Sequence, residues 1–376
     1  MPEPPMVDAS ISRQGCVLIA AGGTGGHVFP ALAVAQRLHE QNIPVLWVGS
    51  KKGIEARVVP ANNIELVSFS VSGLRGKRWS AMVLAPFQLA GAVVKVMRLA
   101  LRRRVMCMLG TGGYVSAASG VAAILLRKPF FLQEQNAVAG TTNKLLAPFA
   151  KKIFTAYPQV FAERSNVRCC GNPLRREFVN LPTPVQRNVG VGEQLRVLVV
   201  GGSLGASALN HAMPAALARL AGESALARNL QVVHQSGAAE CGQVQQMYRE
   251  LSLDATVTPF IDDVATALQS ADLVIARAGA LTLSELTAVG VAALLVPYPY
   301  AIDDHQTANA QWLVDNDAAR MIVQPNLDSE TINAVLLEML QQAGGLQAMA
   351  LRSRALAKTD AAALIAQACK EYVDAS

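Results

Sequence analysis

Charged residues and long apolar runs are both scarce in this chain. Charged side chains make up 16% of its 376 residues, whereas apolar side chains make up 52%. That balance excludes a disordered or fibrous chain and suits buried parallel strands covered by helices. The apolar stretch 79–104 is interrupted by Lys95 and Arg98. No segment therefore reaches the roughly 20 uninterrupted apolar residues that a membrane span needs.

Paired cysteines and metal-ligand spacings are missing as well. The six cysteines show no paired spacing, and the adjacent Cys169 and Cys170 cannot easily close a normal disulfide, so a reducing compartment is expected. Residues 1–14 lack the basic start and apolar core of a signal peptide, and the protein is expected to stay inside the cell. The five histidines have no ligand-like spacing with cysteines or carboxylates, so we predict no metal site.

Charge is divided unevenly between the two halves of the chain. Lys and Arg outnumber Asp and Glu by 23 to 8 in residues 1–188, and are outnumbered by 19 to 10 in residues 189–376. The cationic half is therefore expected to face an acidic partner, either nucleic acid or an anionic membrane surface.

A strand-like apolar run leads into a glycine-rich loop twice, about half the chain apart. Residues 17–21 precede the loop 22–27, and residues 197–200 precede the loop 201–207. Glycine lets the backbone approach a bound group, and the following helix presents free N–H groups and a positive dipole end to an anion. Because the chain is also longer than one core usually supports, the repeat predicts two domains that each handle a phosphate.

The first glycine loop does not fit the common nucleotide motifs. Counted from Gly23, the third glycine of G-x-G-x-x-G falls on Val28, and no Lys-Ser/Thr follows as a P-loop requires. NAD and ATP are thereby disfavoured, and a general diphosphate cradle is favoured over a tight turn needed only for packing.

His27 stands where this loop enters its helix. The neutral imidazole is favoured there, which suits a general base, although a structural histidine is the alternative.

Strand-like runs alternate with helical patterns through both halves, which predicts an α/β fold with doubly wound parallel sheets. The predicted strands are residues 17–21, 45–49, 106–110, 129–134 and 152–155, then 197–200, 231–235, 256–260, 272–276 and 293–297. We predict a first domain over 1–172 and a second over 173–354, with turn-forming linker residues at 181–192. The tail over 351–373 is expected to be helical, and the C-terminal helix, taken as about 355 to 376, is predicted to pack back on the first domain.

Polar residues follow several of these strands. A second glycine turn spans 110–116, and residues 133–136 suit either a polyhydroxylated ligand or the cap of the next helix. Residues 277–285 begin a helix whose N–H groups can face a phosphate, and Glu285 suits ribose hydroxyls or merely the helix dipole. Residues 303–310 are predicted as a polar loop for sugar recognition, or a solvated loop only.

The stretch 79–104 fits either a helix on an anionic membrane or a buried crossover helix with a cationic end.

Taken in order, these segments resemble the MurG family, the UDP-N-acetylglucosamine transferases that convert lipid I to lipid II in peptidoglycan synthesis. The resemblance is carried by residues 22–33, 73–77, 112–116, 134–136, 171–173, 201–206 and 280–285. It implies a GT-B fold, in which two Rossmann-like domains face a cleft, with the donor held by the C-terminal half and the lipid-linked acceptor by the N-terminal half. It also implies a peripheral enzyme on the cytoplasmic face of the inner membrane, active in cell-wall biogenesis.

The resemblance implies roles for particular residues. The donor-binding residues would be Thr24, Gly25, Gly26, Asn136, Arg175, Ser203, Ile261, Ala280, Leu281, Thr282, Leu283, Ser284, Glu285 and Gln306. Within this set, the backbone of Ile261 would serve the uracil, Glu285 the ribose, Ser203 the phosphates and Gln306 the sugar. The acceptor diphosphate would lie at Gly112, Gly113 and Tyr114. The membrane-facing cations would be Arg75, Lys77, Arg98, Arg102, Arg103 and Arg104.

One position departs from the family pattern. The family usually carries histidine directly before Glu-Gln-Asn, whereas this chain has Gln133. The expected catalytic base is therefore His27, with Glu134 in reserve.

The expected reaction is an inverting transfer of N-acetylglucosamine to the 4-hydroxyl of the N-acetylmuramyl unit, with no cofactor and no metal. The expected partners are UDP-N-acetylglucosamine, lipid I and an anionic membrane, without nucleic acid. Two alternatives stay open, a UDP-N-acetylglucosamine epimerase of the same fold and a non-catalytic membrane scaffold.

Overall fold

The computed structural model describes residues 15–51, 53–69, 79–187, 194–202, 205–342 and 344–375. The chain divides into two compact units. The first comprises Met1–Arg175 and Asp360–Ser376, and the second comprises Arg176–Thr359. The sequence places these divisions at 172/173 and near residue 355. Among the predicted site residues, Ser203, Arg75 and Lys77 lie outside the described residues.

The first unit is built on a parallel sheet in the order β3-β2-β1-β4-β5-β6-β7. Its described strands are β1 (Cys16–Ala20), β2 (Val45–Ser50), β3 (Glu65–Phe69), β4 (Val105–Gly110), β5 (Phe130–Glu134), β6 (Lys152–Thr155) and β7 (Val167–Cys169). Its described helices are α1 (Gly25–Glu40), α2 (Glu55–Ala61), α3 (Trp79–Arg102), α4 (Gly113–Leu125), α5 (Thr141–Leu146) and α13 (Ala361–Asp374).

Helices cover both faces of this sheet, because its central strands are apolar throughout. In β1, Val17 and Ile19 join a core with α1 and α13, whereas Leu18 and Ala20 join a second core with α3 and α4. A strand buried on both faces reads as one continuous aliphatic run rather than an alternating one. The uniformly apolar sequence of β1 therefore explains why this strand lies in the middle of the sheet.

The second unit repeats the plan, with a parallel sheet in the order β10-β9-β8-β11-β12-β13. Its described strands are β8 (Leu195–Val200), β9 (Leu230–Gln235), β10 (Ala255–Thr258), β11 (Leu273–Ala276), β12 (Ala292–Leu295) and β13 (Arg320–Met321). Its described helices are α6 (Ser207–Glu223), α7 (Cys241–Glu250), α8 (Val264–Ser270), α9 (Ala280–Val289), α10 (His305–Val314), α11 (Ser329–Gln341) and α12 (Gly345–Ala355). Two doubly wound parallel sheets confirm the predicted fold class.

The sheet order locates the candidate sites. In each unit the chain starts in the middle of the sheet, moves outward to one edge and then crosses to the other side, so the order reverses between β1 and β4 and between β8 and β11. Ligands of open parallel sheets bind beyond the carboxyl ends of the strands at such a reversal. Both predicted glycine loops lie there, after β1 and after β8.

Two predicted segments differ from the structure. The single helix over 351–373 is wrong: α12 ends at Ala355 in the second unit, where it packs on α9, and α13 begins at Ala361 in the first unit, where it packs on α1. The polar loop over 303–310 is also wrong from residue 305 onward, because α10 begins at His305. The short strands β3, β7 and β13 were not predicted from the sequence.

Candidate functional site

The first glycine loop is shorter than the sequence suggests. Helix α1 begins at Gly25, so two of the predicted loop glycines belong to its first turn. The carbonyl of Thr24 accepts hydrogen bonds from the N–H groups of His27 at 3.1 Å and of Val28 at 3.2 Å. The N–H groups before them have no intrahelical carbonyl to reach. Thr24 and Gly26 are exposed, so this helix start is accessible to an anion.

His27 is half-buried and its ring is oriented by a backbone carbonyl. Its Nδ1 lies 2.7 Å from the carbonyl oxygen of Thr111, which follows β4. A carbonyl oxygen only accepts hydrogen bonds, so Nδ1 carries the proton of the neutral ring and Nε2 carries the lone pair. This hydrogen bond joins the first turn of α1 to the turn after β4.

The turn after β4 requires glycine at one position. Gly112 has φ +103°, and a Cβ there would lie 3.1 Å from Cε1 of His27. A side chain would therefore need both a disfavoured backbone conformation and a displacement of the imidazole. Gly113 is exposed at the first position of α4, and Tyr114 beside it is half-buried.

Ser116 clamps the same turn to β1. Its Oγ accepts hydrogen bonds from the N–H groups of Thr111 and Gly112, each at 3.0 Å, and donates to the carbonyl of Ala20 at 2.8 Å. Ser116 is fully buried. Its hydroxyl is thus a structural link between the two central strands.

Glu134 is buried, and the described hydrogen bonds of its carboxylate all come from the following residues 136–143. Its Oε1 accepts from the backbone N–H of Asn136 at 3.1 Å, and its Oε2 accepts from the N–H of Gly140 at 2.9 Å and from Nδ2 of Asn143 at 2.8 Å. Gly140 is the residue before α5. The carboxylate therefore organises the turn into α5, which is the capping alternative for residues 133–136. Asn136 itself is half-buried.

Gln133, Gln135 and Asn172 form a buried amide network beside it. Nε2 of Gln133 donates to Oδ1 of Asn172 at 2.9 Å, and Oε1 of Gln133 accepts from Nε2 of Gln135. Nδ2 of Asn172 donates to the backbone carbonyl of Gln135 at 3.2 Å. These polar residues at the end of the strand are buried, and their amide N–H groups find acceptors within the network. Oε1 of Gln135 has no hydrogen-bond partner among the described residues.

Glu55, which sequence reasoning missed, supports the first glycine loop. This fully buried carboxylate accepts from the backbone N–H of Gly23 at 3.2 Å and from the N–H and hydroxyl of Ser50 at 2.8 and 2.7 Å. The sequence did carry a signal for Glu55. It is a single acidic residue that follows the predicted strand 45–49, at the edge of the sheet where ligands bind.

In the second unit, the loop after β8 requires glycine for close backbone contact. Gly205 has φ +78°, and a Cβ there would lie 2.0 Å from the carbonyl oxygen of Ser236. Gly205 also donates from its N–H to the carbonyl of Gly202 at 2.8 Å. Gly205 therefore lies directly against the end of β9, two residues before α6 begins at Ser207.

Gln235, also missed, ties this loop to the end of β10. Its Oε1 accepts from the N–H of Gly202 at 3.0 Å, and its Nε2 donates to the carbonyls of Gly202 at 2.7 Å and Pro259 at 3.3 Å. Ile261 lies two residues beyond Pro259 and is half-buried. One buried amide thus holds both segments that the resemblance assigns to the nucleotide.

A buried histidine lies behind the same loop. His234 hydrogen-bonds through Nδ1 to the Tyr248 hydroxyl at 3.0 Å and through Nε2 to Oδ1 of Asn210 at 3.1 Å. Nδ2 of Asn210 donates to the carbonyl of Ser236 at 2.9 Å, the atom against which Gly205 packs. Burial lowers the pKa of His234 to about 4, so the ring is neutral at pH 7.

Helix α9 begins directly after β11, as the sequence predicts. Of its first turn, Leu281 and Thr282 are half-buried, whereas the side chain of Leu283 is 1% exposed and belongs to the core. Ser284 donates from Oγ to the carbonyl of Ala280 at 3.0 Å, and Glu285 is buried. Leu283 can therefore offer a ligand only its backbone, whereas the start of α9 can offer N–H groups.

Arg277, just before α9, fixes the segment that leads to Gln306. Its guanidinium donates to the carbonyls of Val296 at 3.2 Å and Pro297 at 3.1 Å, and it lies 5.6 Å from the ring centroid of Tyr298. The N–H of Tyr298 then donates to Oε1 of Gln306 at 2.9 Å. Burial lowers the pKa of Arg277 below its ordinary value.

Backbone strain marks the entry to α10. Asp303 and Asp304 have φ +53° and +49°, both in the left-handed region. Each such residue costs on the order of 1 kcal/mol, and aspartate tolerates it better than most residues. These two strained residues stand three and two positions before Gln306. Their backbone conformation indicates that the shape of this loop is not set by local backbone preference alone.

Helix α3 has one buried and one exposed face. Ala92, Val93 and Val96 are at most 6% exposed, whereas Phe87 is 75% and Leu101 64% exposed. The cations Arg98, Arg102, Arg103 and Arg104 are all exposed, and Arg103 pairs with Glu65. One face of α3 is thus buried, as expected of a crossover helix. The opposite face presents apolar and cationic side chains together to solvent. In the described part of the chain, no helix has the length and apolar character to cross a membrane.

Other predicted site residues are placed separately. Arg175 is half-buried and ends the first part of the first unit. Among the described residues, no three or more His, Cys, Asp and Glu side chains are grouped as metal ligands would be. The six cysteines are free thiols.

Two family models match the chain. The glycosyltransferase family 28 N-terminal domain matches residues 17–155, and the glycosyltransferase family 28 C-terminal domain matches residues 196–365. The first match lies within the first unit, and the second covers most of the second unit and the start of the returning segment 360–376.

Similar proteins of known name cover nearly the whole chain. The UDP-N-acetylglucosamine–N-acetylmuramyl-(pentapeptide) pyrophosphoryl-undecaprenol N-acetylglucosamine transferase of Alkalilimnicola ehrlichii is 47% identical over 94% of this chain and 98% of its own length. The transferase of the same name from Methylococcus capsulatus is 44% identical over 96% of this chain and 99% of its own. The crystal structure of Acinetobacter baumannii MurG superposes with a TM-score of 0.83 and 37% identity, covering 95% of this chain and 99% of that one. The chain therefore belongs to glycosyltransferase family 28, among the MurG transferases.

Proposed function

We propose that this protein transfers N-acetylglucosamine from UDP-N-acetylglucosamine to lipid I, which yields lipid II for peptidoglycan. The observation that carries the proposal is 47% identity, over nearly the full length of both chains, to a transferase named for this reaction. The glycine loops at the sheet reversals of both units support it, because both substrates carry a diphosphate.

In this mechanism His27 is the general base. Its Nε2 takes the proton from the 4-hydroxyl of the N-acetylmuramyl unit while that oxygen bonds to C1 of the donor sugar. The bond from C1 to the UDP oxygen breaks with its electron pair leaving on UDP, and the attack from the opposite face gives a β-1,4 linkage. The Nδ1 contact to Thr111 supports this role, because it leaves Nε2 with the lone pair.

Glu134 is the weaker candidate for the base. Its two carboxylate oxygens accept hydrogen bonds from Asn136, Gly140 and Asn143, and only 2% of the residue is exposed. A base must reach the substrate proton within hydrogen-bond distance. We therefore assign Glu134 the task of shaping the loop that carries Asn136.

The donor is bound chiefly by the second unit in this proposal. Amide groups of the loop at Gly202 and Gly205, with Ser203, and the first turn of α9 meet the negative charge that grows on UDP as the bond breaks, and no metal or cofactor is called on. Ile261 serves the uracil through its backbone, Glu285 accepts from the ribose hydroxyls and Gln306 contacts the sugar. The remaining donor contacts proposed from the resemblance are Thr24, Gly25, Gly26, Asn136 and Arg175.

The acceptor is bound by the first unit. The turn at Gly112, Gly113 and Tyr114 lies beside His27 and begins α4, so it suits the acceptor diphosphate. We further propose that α3 rests on the anionic inner face of the cell membrane. Phe87 and Leu101 would enter the lipid interface, and Arg98 and Arg102 would contact the head groups.

One incubation separates this function from its alternatives. Purified protein is given sugar-labelled UDP-N-acetylglucosamine with or without a lipid I analogue. We expect label in the lipid product only when the analogue is present. An epimerase would convert the nucleotide sugar without acceptor, and a scaffold would leave both substrates unchanged. Either result would overturn the proposal.

A further inference from the structure

The carbonyl oxygen of Thr111 receives two side-chain donors. His27 approaches through Nδ1 at 2.7 Å, and Gln135 donates from Nε2 at 3.0 Å. A carbonyl oxygen has two lone pairs, so these two donors satisfy it fully. The imidazole therefore binds to an acceptor whose direction is already set by Gln135.

The other end of this turn is fixed as well. The N–H groups of Thr111 and of Gly112 both donate to Oγ of Ser116, whose own proton goes to the carbonyl of Ala20. The Thr111 N–H also lies 3.3 Å from the carbonyl of Ala20, so residue 111 is held by Ser116 and β1 at its N–H and by Gln135 at its carbonyl. A backbone carbonyl held in this way cannot turn to follow a moving imidazole.

The Gln135 carboxamide has one permitted orientation. Its Nε2 faces three acceptors, the Thr111 carbonyl, the backbone carbonyl of Gln133 at 3.3 Å and Oε1 of Gln133. Turning the amide over would bring its oxygen against all three. Gln133 is itself fixed because its Nε2 donates to Asn172 at 2.9 Å. All three amide residues are at most 2% exposed, so water does not compete for these hydrogen bonds.

We infer that Gln135, supported by Gln133, is a positioning residue that fixes the tautomer of His27 through the Thr111 carbonyl. The inference rests on the proposed function, in which Nε2 of His27 is the base. Imidazole in water exchanges its proton between both nitrogens. The fixed carbonyl selects the form with the proton on Nδ1, so Nε2 is ready to accept one.

The same geometry accounts for glutamine at position 133. A neutral imidazole presents one donor and one acceptor nitrogen, and the Gln133 amide uses one of each, toward Asn172 and Gln135. Histidine, which the family resemblance leads one to expect there, could serve both contacts. Position 133 then needs a donor and an acceptor rather than a titrating group.

The test substitutes Gln135→Met, which keeps the length of the side chain and removes its donor. The matched control is Asn166→Leu, which removes another amide donor to a backbone carbonyl, that of Ala150, in the same unit. Nitrogen NMR of the full chain, with isotope-labelled histidine and the His27 signal assigned by His27→Gln, reports which ring nitrogen carries the proton. We expect Nδ1 protonation in the parent and in Asn166→Leu, and a mixture of tautomers in Gln135→Met.

Kinetics with saturating substrates provide the second measurement. We expect Gln135→Met to lower kcat roughly 10-fold with the KM for UDP-N-acetylglucosamine retained, because an imidazole in a mixture of tautomers loses part of the roughly 10²-fold to 10⁴-fold contribution of a positioned base. Gln133→His should retain both the parent tautomer and kcat. An unchanged tautomer in Gln135→Met, or loss of the parent tautomer in Gln133→His, would overturn the inference.

Two further variants keep the outcome decisive. If Gln135→Met does not fold, Gln135→Leu removes the same donor with a shorter side chain, and an unchanged His27 tautomer there would equally overturn the inference. His27→Ala tests the proposed function separately. Normal kcat in that variant would remove His27 as the base, whereas the NMR result does not depend on turnover and would still decide whether Gln135 sets the tautomer.

Discussion

The Gln235 side chain hydrogen-bonds to both ends of residue Gly202. Its Oε1 accepts from the Gly202 N–H at 3.0 Å and its Nε2 donates to the Gly202 carbonyl at 2.7 Å. A side-chain amide that hydrogen-bonds to both the N–H and the carbonyl of one residue fixes the orientation of that residue. Gly202 lies in the glycine loop that is proposed to hold the donor phosphates.

Gln235→Leu should therefore weaken donor binding. Loss of the amide leaves the N–H and the carbonyl of Gly202 without their side-chain partner, which costs on the order of 1–3 kcal/mol. We expect KM for UDP-N-acetylglucosamine to rise about 10-fold with kcat changed much less. The control is Gln231→Leu, an exposed position on the same strand. A larger rise of KM in the control would contradict the role of Gln235.

His27→Ala should abolish turnover without loss of donor affinity. A positioned general base contributes about 10²-fold to 10⁴-fold in rate, and we expect kcat to fall within that range. Donor affinity is measured by calorimetry with UDP-N-acetylglucosamine. His39→Ala, at an exposed position of the same helix, serves as the control and should keep kcat. Near-normal kcat in His27→Ala would exclude His27 from the mechanism.

Glu285→Ala should act on binding rather than on chemistry. A carboxylate that accepts from two ribose hydroxyls makes charge-assisted hydrogen bonds, and their loss should raise KM for UDP-N-acetylglucosamine about 10-fold or more. The control is Glu250→Ala, at an exposed end of α7. If KM is unchanged in Glu285→Ala, the ribose assignment is wrong.

His234 should make the protein sensitive to acid. Burial lowers its pKa from 6.5 to about 4, so the unfolded chain takes up a proton on this ring at a higher pH than the folded chain does. The stabilisation present above pH 6.5 is lost progressively as the pH falls toward 4, by up to about 3 kcal/mol.

Urea unfolding at pH 7 and pH 4.5 measures this effect. His234→Gln should reduce the difference between the two midpoints, because the titrating ring is gone. His211→Gln, at an exposed histidine of the same unit, should leave the difference as in the parent. Equal changes in both variants would assign the acid sensitivity to other groups.

The exposed face of α3 should bind anionic vesicles. Each cation near such a surface contributes about 1 kcal/mol, so Arg98→Ser with Arg102→Ser should reduce partitioning about 30-fold. The control pair is Arg228→Ser with Arg249→Ser, two exposed cations of the second unit. Sedimentation with vesicles that contain phosphatidylglycerol gives the bound fraction. An equal loss in both pairs would show that binding follows net charge rather than this face.

The fold could be predicted largely because its central strands are aliphatic and lead into glycine. In β1 and β8 the apolar run is short and ends at a glycine loop, which distinguishes it from a buried helix. The edge strands β3, β7 and β13 were missed because they are only partly buried or exposed, and β7 and β13 are also short. The break between α12 and α13 was missed because residues 356–360 contain neither glycine nor proline.

The candidate site was predictable only where chemistry is local in sequence. The glycine loops, His27 and the start of α9 are short segments with a direct physical meaning. Glu55, Ser116, Gln135 and Gln235 act on backbone atoms 24 to 96 residues away, which no spacing reveals. The partners of such polar side chains can be identified only once the order of strands in the sheet is known.

The return of α13 to the first unit has a consequence for how the protein is made. Residues 361–374 cover one face of the N-terminal sheet, where Ile365 and Cys369 are fully buried against Val17 and Ile19. This helix is synthesised only after the whole second unit. The N-terminal sheet therefore emerges from the ribosome with this face covered by α1 but not yet by α13, whereas the second unit is continuous in the chain and can fold as one piece.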